Sequence, residues 1–277
     1  MSSLFSSGSY FENSKGGMSP ANKTLHPAAI PLAFHGGRWL GRQAIFAFQQ
    51  KKSEEMTPKQ HDESVAREFD RAANGYDESR IVKTYQRRAQ LLVINRQRIE
   101  RGMNILDLGC GTGKGSLDIA SMLEGTGRVV GLDLSEKMIE QARRHLAKTN
   151  HKNVVFQVGS ASSLSYDGHF DLVLSTNAFH HFEQKGDIFH RVWKSLKNDG
   201  VFVVQDICDD YILIRIVDLA GKIGEKAHVG STLSKQLRIL FLSSGFADVE
   251  VEKLKLSWFW GIMIGKGVKR HDSNTFT

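Results

Sequence analysis

Asn104-Ile105-Leu106-Asp107-Leu108-Gly109-Cys110-Gly111-Thr112-Gly113-Lys114-Gly115 sets three alternate glycines directly behind a short apolar run and an acid. Residues 105–108 read as a buried parallel strand, and Ser116, Leu117, Ile119, Ala120 and Leu123 then recur at helical spacing. Strand, glycine turn and helix follow in that order. Such a turn must reverse sharply and let backbone N–H groups approach a ligand, which side chains at Gly109, Gly111 or Gly113 would obstruct.

Outward from this turn the alternation repeats. Residues 128–132 form a second short apolar strand ending in Asp133, an acid placed to accept hydrogen bonds from both hydroxyls of a ribose. Ser135 reads as the N-cap of a helix whose apolar face is Met138, Ile139, Ala142 and Leu146. Strand three, 154–158, leads into Gly159-Ser160-Ala161; strand four, 170–174, ends in Ser175-Thr176-Asn177-Ala178-Phe179-His180-His181-Phe182. Residues 187–196 are expected as helix, Asn198-Asp199-Gly200 as a turn and 201–204 as strand five. Thr232 or Ser234 is expected to cap a helix carrying Leu237, Leu240 and Phe241, with Gly245 ending it. Residues 249–256 alternate with period two and can pair with 261–264. The reading is an α/β doubly wound, Rossmann-like sheet, with ligands at the carboxyl ends of its strands.

The glycine spacing narrows the ligand. A dinucleotide fingerprint wants glycine at the first, third and sixth places, and counting from Gly109 the sixth is Lys114. A phosphate-binding loop wants glycine five places before Gly-Lys and a hydroxyl after it, where this chain has Leu108 and Gly115. The remaining pattern, acid-x-Gly-x-Gly-x-Gly with Asp107 as the acid, resembles the first motif of class I S-adenosylmethionine-dependent methyltransferases. The resemblance covers residues 69–268. It points to the group that includes the quinone-biosynthesis C-methyltransferases and the malonyl-carrier O-methyltransferase of biotin synthesis. Phe69-Asp70-Arg71-Ala72-Ala73-Asn74-Gly75-Tyr76-Asp77 resembles the segment before the sheet in those enzymes, where a helix folds over the cofactor.

The resemblance implies S-adenosyl-L-methionine as cofactor and a seven-stranded sheet, mostly parallel and completed by a C-terminal antiparallel hairpin. It implies that Gly109, Gly111 and Gly113 accommodate the methionine and ribose parts of the donor, and that Asn177 touches its methionine end. Asp133 and the following Leu134 belong to the same cofactor set. One departure stands out: the family often carries an acid after strand three to meet the adenine amino group, and this chain has Ser160 there. A serine hydroxyl can accept that hydrogen bond, with the Ala161 backbone meeting the ring.

Methyl transfer needs a nucleophile held in line with the methyl carbon and water kept out. No metal is required. An acceptor hydroxyl, phenol or activated carbon must also lose a proton, a task suited to neutral histidine. His180 and His181 follow strand four, where the family places its acceptor, and are the candidate bases, His181 being preferred. Tyr76 is a further catalytic candidate, closing over the cofactor or orienting the acceptor, and Asp206 ends strand five within reach of the same site. Residues 207–230 form a lid-like insertion containing Tyr211, Ile212 and His228, whose apolar content suits a lipidic or aromatic acceptor.

Composition excludes several classes. The chain has 277 residues and a net charge of +7, long enough for one large domain plus an extension. Residues 59–270 are expected as the methyltransferase domain, with 59–102 as a helical cap and 271–277 as a tail. No apolar run approaches a membrane span. All four prolines, Pro20, Pro27, Pro31 and Pro58, precede this region, so strand four lacks the Pro-Pro motif with which many methyltransferases hold planar nitrogens. Two cysteines, Cys110 and Cys208, give neither metal-ligand spacing nor a disulfide framework.

Residues 1–53 carry Lys15, Lys23, Arg38, Arg42, Lys51 and Lys52 against Glu12 alone. The 1–58 extension therefore reads as a transit peptide or a flexible tail, and residues 38–48 as a flexible or amphipathic piece of it. The expected compartment is cytoplasmic, or an organelle if the extension is a transit peptide. Arg87, Arg88, Arg96, Arg98 and Arg101 form a second basic concentration. The leading function is methylation of oxygen or carbon on a small apolar or aromatic acceptor, with nucleic acid not favoured. An RNA methyltransferase, suggested by the basic balance, and a non-catalytic methyltransferase-like binding or scaffold subunit remain as alternatives.

Overall fold

The structure is a computed structural model that describes residues 57–208, 232–257 and 261–270. The expectations for residues 1–56, for most of the 207–230 insertion with Tyr211 and His228, and for the 271–277 tail lie outside the described residues.

Helix α1 (Pro58–Ala72) opens with a reciprocal cap: Gln60 N–H donates to Thr57 Oγ1 at 3.4 Å, and Thr57 N–H donates to Gln60 Oε1 at 2.8 Å, with proline in the first turn. A 3₁₀ turn (Tyr76–Glu78) and a π turn (Val82–Gln86) lead into α2 (Arg87–Arg96). The sheet then begins with β1 (Asn104–Leu108), α3 (Lys114–Met122), β2 (Arg128–Asp133), α4 (Glu136–Leu146), β3 (Val154–Val158) and β4 (Phe170–Thr176). It continues through α5 (Lys185–Ser195), β5 (Leu196–Ile207), α6 (Ser234–Ser243), β6 (Ala247–Lys255) and β7 (Gly261–Val268).

The seven strands lie in the order β3-β2-β1-β4-β5-β7-β6. The first five pair in parallel, while β7 pairs antiparallel with both β5 and β6, the mixed sheet expected from the sequence. Successive residues serve opposite faces, as strand geometry demands. Leu106, Val130, Val173 and Phe202 join Phe189 of α5 and Phe241 of α6 on one face. Ile105, Val129, Leu172 and Val203 join Val93 of α2, Ile119 of α3 and Ile139 of α4 on the other. Burial of both faces explains why these strands read as continuous apolar runs. The strand order reverses between β1 and β4, and the ends of those two strands frame a crevice suited to ligand binding.

Two expectations need correction. Strand five runs from Leu196 rather than Val201, because Leu196 already pairs with Phe170; the Asn198-Asp199-Gly200 turn is a kink within it, with Asp199 at φ 60° and a register shift between Phe170 and Leu172. Helix α6 has Leu233 at its N-cap, where Gln236 Oε1 accepts from the Leu233 N–H at 3.2 Å, in place of a hydroxyl from Thr232 or Ser234. Among the described residues no helix is long and apolar enough to cross a membrane.

Candidate active site

The three glycines of the turn answer three different demands. Gly109 has φ 77°, and a Cβ there would stand 2.4 Å from Ala178 Cβ. Gly113, also at φ 77°, starts α3 against Phe156 and Ala142, whose atoms a Cβ would meet at 2.5 and 2.8 Å. Gly111, at φ 53°, faces no atom of the described residues within 4 Å of an added Cβ; its open side borders the cleft. Its N–H donates to Asp133 Oδ2 at 2.8 Å, and Ser135 N–H donates to Asp133 Oδ1 at 2.9 Å. Burial pushes the Asp133 carboxyl up, and these two backbone N–H groups oppose that rise.

Asp107 does not line the cleft. It is buried beneath the turn, where Ser116 Oγ donates to its Oδ2 at 2.6 Å. Burial raises its pKa to about 6, against the Ser116 hydrogen bond that lowers it. The folded chain therefore holds a proton that an unfolded aspartate, with a pKa of about 3.9, has already released. This contribution to stability is fully present below about pH 4 and is lost as pH rises to about 6, on the order of 3 kcal/mol in all. Urea midpoints should show it: the wild type should lose stability relative to Asp107→Asn across this interval, and a difference constant with pH would contradict the assignment.

The cap is latched to the glycine turn through Asp77. Thr112 Oγ1 donates to Asp77 Oδ1 at 2.9 Å, and Lys114 Nζ lies 3.1 Å from Asp77 Oδ2. Next to it, the Tyr76 hydroxyl donates to Gln86 Oε1 at 3.2 Å. Burial, then the charges of Asp133, Asp77 and Asp206, push the Tyr76 pKa up to about 12. As a neutral phenol Tyr76 can orient a ligand, but it is not poised to take a proton.

The end of β4 is tied to the same cap. Asn177 adopts φ 56°, a left-handed conformation that asparagine tolerates, and its Nδ2 donates to Gln86 O at 3.3 Å. Gln205 Nε2 donates to Asn177 Oδ1 at 3.1 Å, and Gln90 Nε2 donates to Thr176 Oγ1 at 3.0 Å. The π turn ending at Gln86 is the backbone irregularity that puts Gln86 over β4, in keeping with the frequent use of π turns at functional sites.

The adjacent histidines divide. His180 is buried and absent from the cleft lining; its N–H donates to Asp206 Oδ2 at 2.7 Å and its Nδ1 lies 2.8 Å from Asp206 Oδ1. Asp206 is thus a buried holder of His180 rather than a group at the acceptor. His181 lines the cleft. Its ring rests 4.0 Å from that of His180, and the Phe69 ring meets it edge-on at 4.8 Å.

The cleft encloses about 1150 Å³, counting its open mouth. Tyr76, Gly109, Gly111, Asp133, Leu134, Ser160, Ala161, Asn177 and His181 line it; Asp107, Gly113 and His180 support it from behind. Asp62, Gln86, Gln90 and Thr176 also line it and were not singled out from the sequence, where an acid or amide on an amphipathic helix reads as solvated surface. The cradle fits S-adenosylmethionine: the open side of Gly111 and the Asp133 carboxylate suit a ribose, and Leu134, Met138 and Ala161 offer apolar walls to a flat base.

Comparison with known proteins agrees. A family model described as "Methyltransferase domain" matches residues 99–241, more than half of the chain. The uncharacterized methyltransferase YcgJ of Bacillus subtilis strain 168 is 26% identical over 198 residues, 70% of this chain and 72% of its own. A demethylmenaquinone methyltransferase of Lactococcus lactis is 25% identical over 218 residues, 70% of this chain and 86% of its own. The fold matches the crystal structure of Burkholderia thailandensis 1,6-didemethyltoxoflavin-N1-methyltransferase with bound 1,6-didemethyltoxoflavin and S-adenosylhomocysteine. That match has a TM-score of 0.60 and 18% identity, covering 78% of this chain and 92% of the other. With this family match spanning the glycine turn and strands β1 to β5, the chain belongs to the methyltransferase-domain family and is a class I S-adenosylmethionine-dependent methyltransferase.

Proposed function

We propose that the enzyme methylates oxygen or carbon of a small apolar or aromatic molecule, with His181 as the base. The carrying observation is that Val65, Phe69, Tyr76, Phe182 and Ile188 line the cleft with Asn177 and with His181, the one imidazole among the described lining residues, against which Phe69 packs. Bound S-adenosylmethionine supplies an electrophilic methyl on its sulfonium. Asp133 and the glycine turn hold the nucleoside, and Asn177 with Gln86 borders its methionine end. The aromatic wall excludes water and holds the acceptor, while His181 takes the proton that the acceptor loses. The demethylmenaquinone methyltransferase among the relatives agrees with a ring-bearing acceptor.

Charge argues against an anionic or RNA acceptor. Among the described residues the cations lining the cleft are paired, Lys83 with Glu78, Arg87 with Asp118 and Lys114 with Asp77. Along the basic concentration that starts at α2, Arg87, Arg96, Arg98 and Arg101 each face an acid, while Arg88 pairs with none among the described residues. A phosphate would have to compete with these carboxylates for each paired cation. Incubating the enzyme with cell extract and methyl-labelled donor should put label into the organic-soluble small-molecule fraction, and Asp133→Ala should abolish it. Label in RNA or protein, or none with a folded, donor-binding enzyme, would overturn the acceptor class.

A further inference from the structure

Ser160 follows β3 at the edge of the cleft, and a carboxylate reaches that corner from another element. Asp62, near the start of α1, lines the cleft, and its Oδ2 accepts from Ser160 Oγ at 2.5 Å and Ser162 Oγ at 3.2 Å. Among the described residues both of its hydrogen bonds fall on Oδ2, so Oδ1 can accept from a ligand.

The sheet orders the ligand. The glycine turn ends β1, Asp133 ends β2, and Ser160 follows β3, three neighbouring strands spaced about 4.8 Å apart. A nucleoside held by its ribose at Asp133 can extend its base only toward β3 or toward β1 and β4. The β1–β4 side holds Asn177 and His181, where the methyl must meet the acceptor. The base therefore lies at the β3 corner, between the apolar walls of Leu134, Met138 and Ala161, with Asp62 as the polar group at its edge.

We propose that Asp62 recognises the donor's adenine, its Oδ1 accepting an N–H of the 6-amino group, while Ser160 and Ser162 hold the carboxylate and do not read the base. This rests on Asp133 being the ribose site. It also gives α1 a role in donor recognition. That helix is docked beside Asp133 through Asp70, whose Oδ1 accepts from Ser135 Oγ at 2.6 Å and from Lys137 N–H at 3.1 Å. An acid carried by α1 rather than by the sheet makes helix docking and donor binding favour each other.

Calorimetry on the full chain with S-adenosylhomocysteine and S-inosylhomocysteine tests this. The latter presents a 6-oxo group in place of the amine. The wild type should prefer the adenine ligand by roughly 10- to 100-fold, since the oxo group leaves a charged acceptor unpaired. In Asp62→Ala and in the closer-shaped Asp62→Asn the preference should fall to about twofold, with S-inosylhomocysteine affinity not reduced. Asp62→Ala/Ser160→Asp, which returns an acid to the β3 corner, should restore it. A merely structural Asp62 would weaken both ligands equally and leave the preference intact, and that result, or no change for either ligand, overturns the proposal. If the ribose assignment is what fails, Asp133→Ala will bind both ligands as the wild type does.

Discussion

Asp133→Ala is expected to weaken S-adenosylhomocysteine binding on the order of 100- to 1000-fold, the largest effect of any single replacement in the cradle. Each hydrogen bond from a ribose hydroxyl to a carboxylate contributes about 1.5–3 kcal/mol, and tenfold in affinity is about 1.4 kcal/mol. Asp133 also accepts from Gly111 and Ser135, so its loss loosens the turn as well. The two contributions separate in a cycle with a 2′-deoxy ligand. The wild type should lose affinity for that ligand, whereas Asp133→Ala, having no carboxylate to lose, should bind both forms alike. A thermal melt establishes that the variant is folded. Wild-type affinity in a folded Asp133→Ala would remove the ribose assignment and the orientation of the donor built on it.

The sheet was legible because its physics is local. Strands β1 to β4 are short, largely apolar and mostly buried runs; β1 and β3 are followed by glycine, β2 ends in Asp133 and β4 is followed by Asn177. The Ser135 hydroxyl that caps α4 was legible for the same reason, since an N-cap needs only a residue and the N–H three places on. At Asn198-Asp199-Gly200 local chemistry misleads: these are turn residues, but pairing of Leu196 with Phe170 and of Asp199 N–H with Lys269 O draws them into β5.

The site was legible in part, and the missing part comes from the cap. Asp133 and the glycines belong to one continuous motif. Asp62 and Gln86 reach the cleft only because α1 and the π turn fold back over the sheet, and their partners are 98 and 91 residues away in sequence. Position alone also failed to assign direction. Asp107 belongs to the motif yet points into the core toward Ser116, and the sequence cannot display which of two adjacent histidines turns inward. The Asp206 carboxylate decides that by holding His180 through both its backbone and its ring.

His181→Ala is expected to lower kcat by roughly 100- to 1000-fold, within the range that general-base catalysis contributes, with S-adenosylhomocysteine affinity changed by less than about threefold. The split follows from the geometry. His181 lines the aromatic wall rather than the ribose corner, and its ring is fixed between His180 and Phe69. His180→Ala is a contrasting variant: it removes the ring packed against His181 and leaves Asp206 buried without its imidazole, so it should reduce stability and slow turnover less than loss of the base itself. Added imidazole gives a readout that a structural role would not move. A small base entering the space vacated in His181→Ala should restore part of kcat, and should do nothing for His180→Ala, whose defect is one of positioning. A His181→Ala enzyme that turns over the acceptor within about threefold of the wild type would show that the proton leaves by another route, for a general base is worth at least tens-fold.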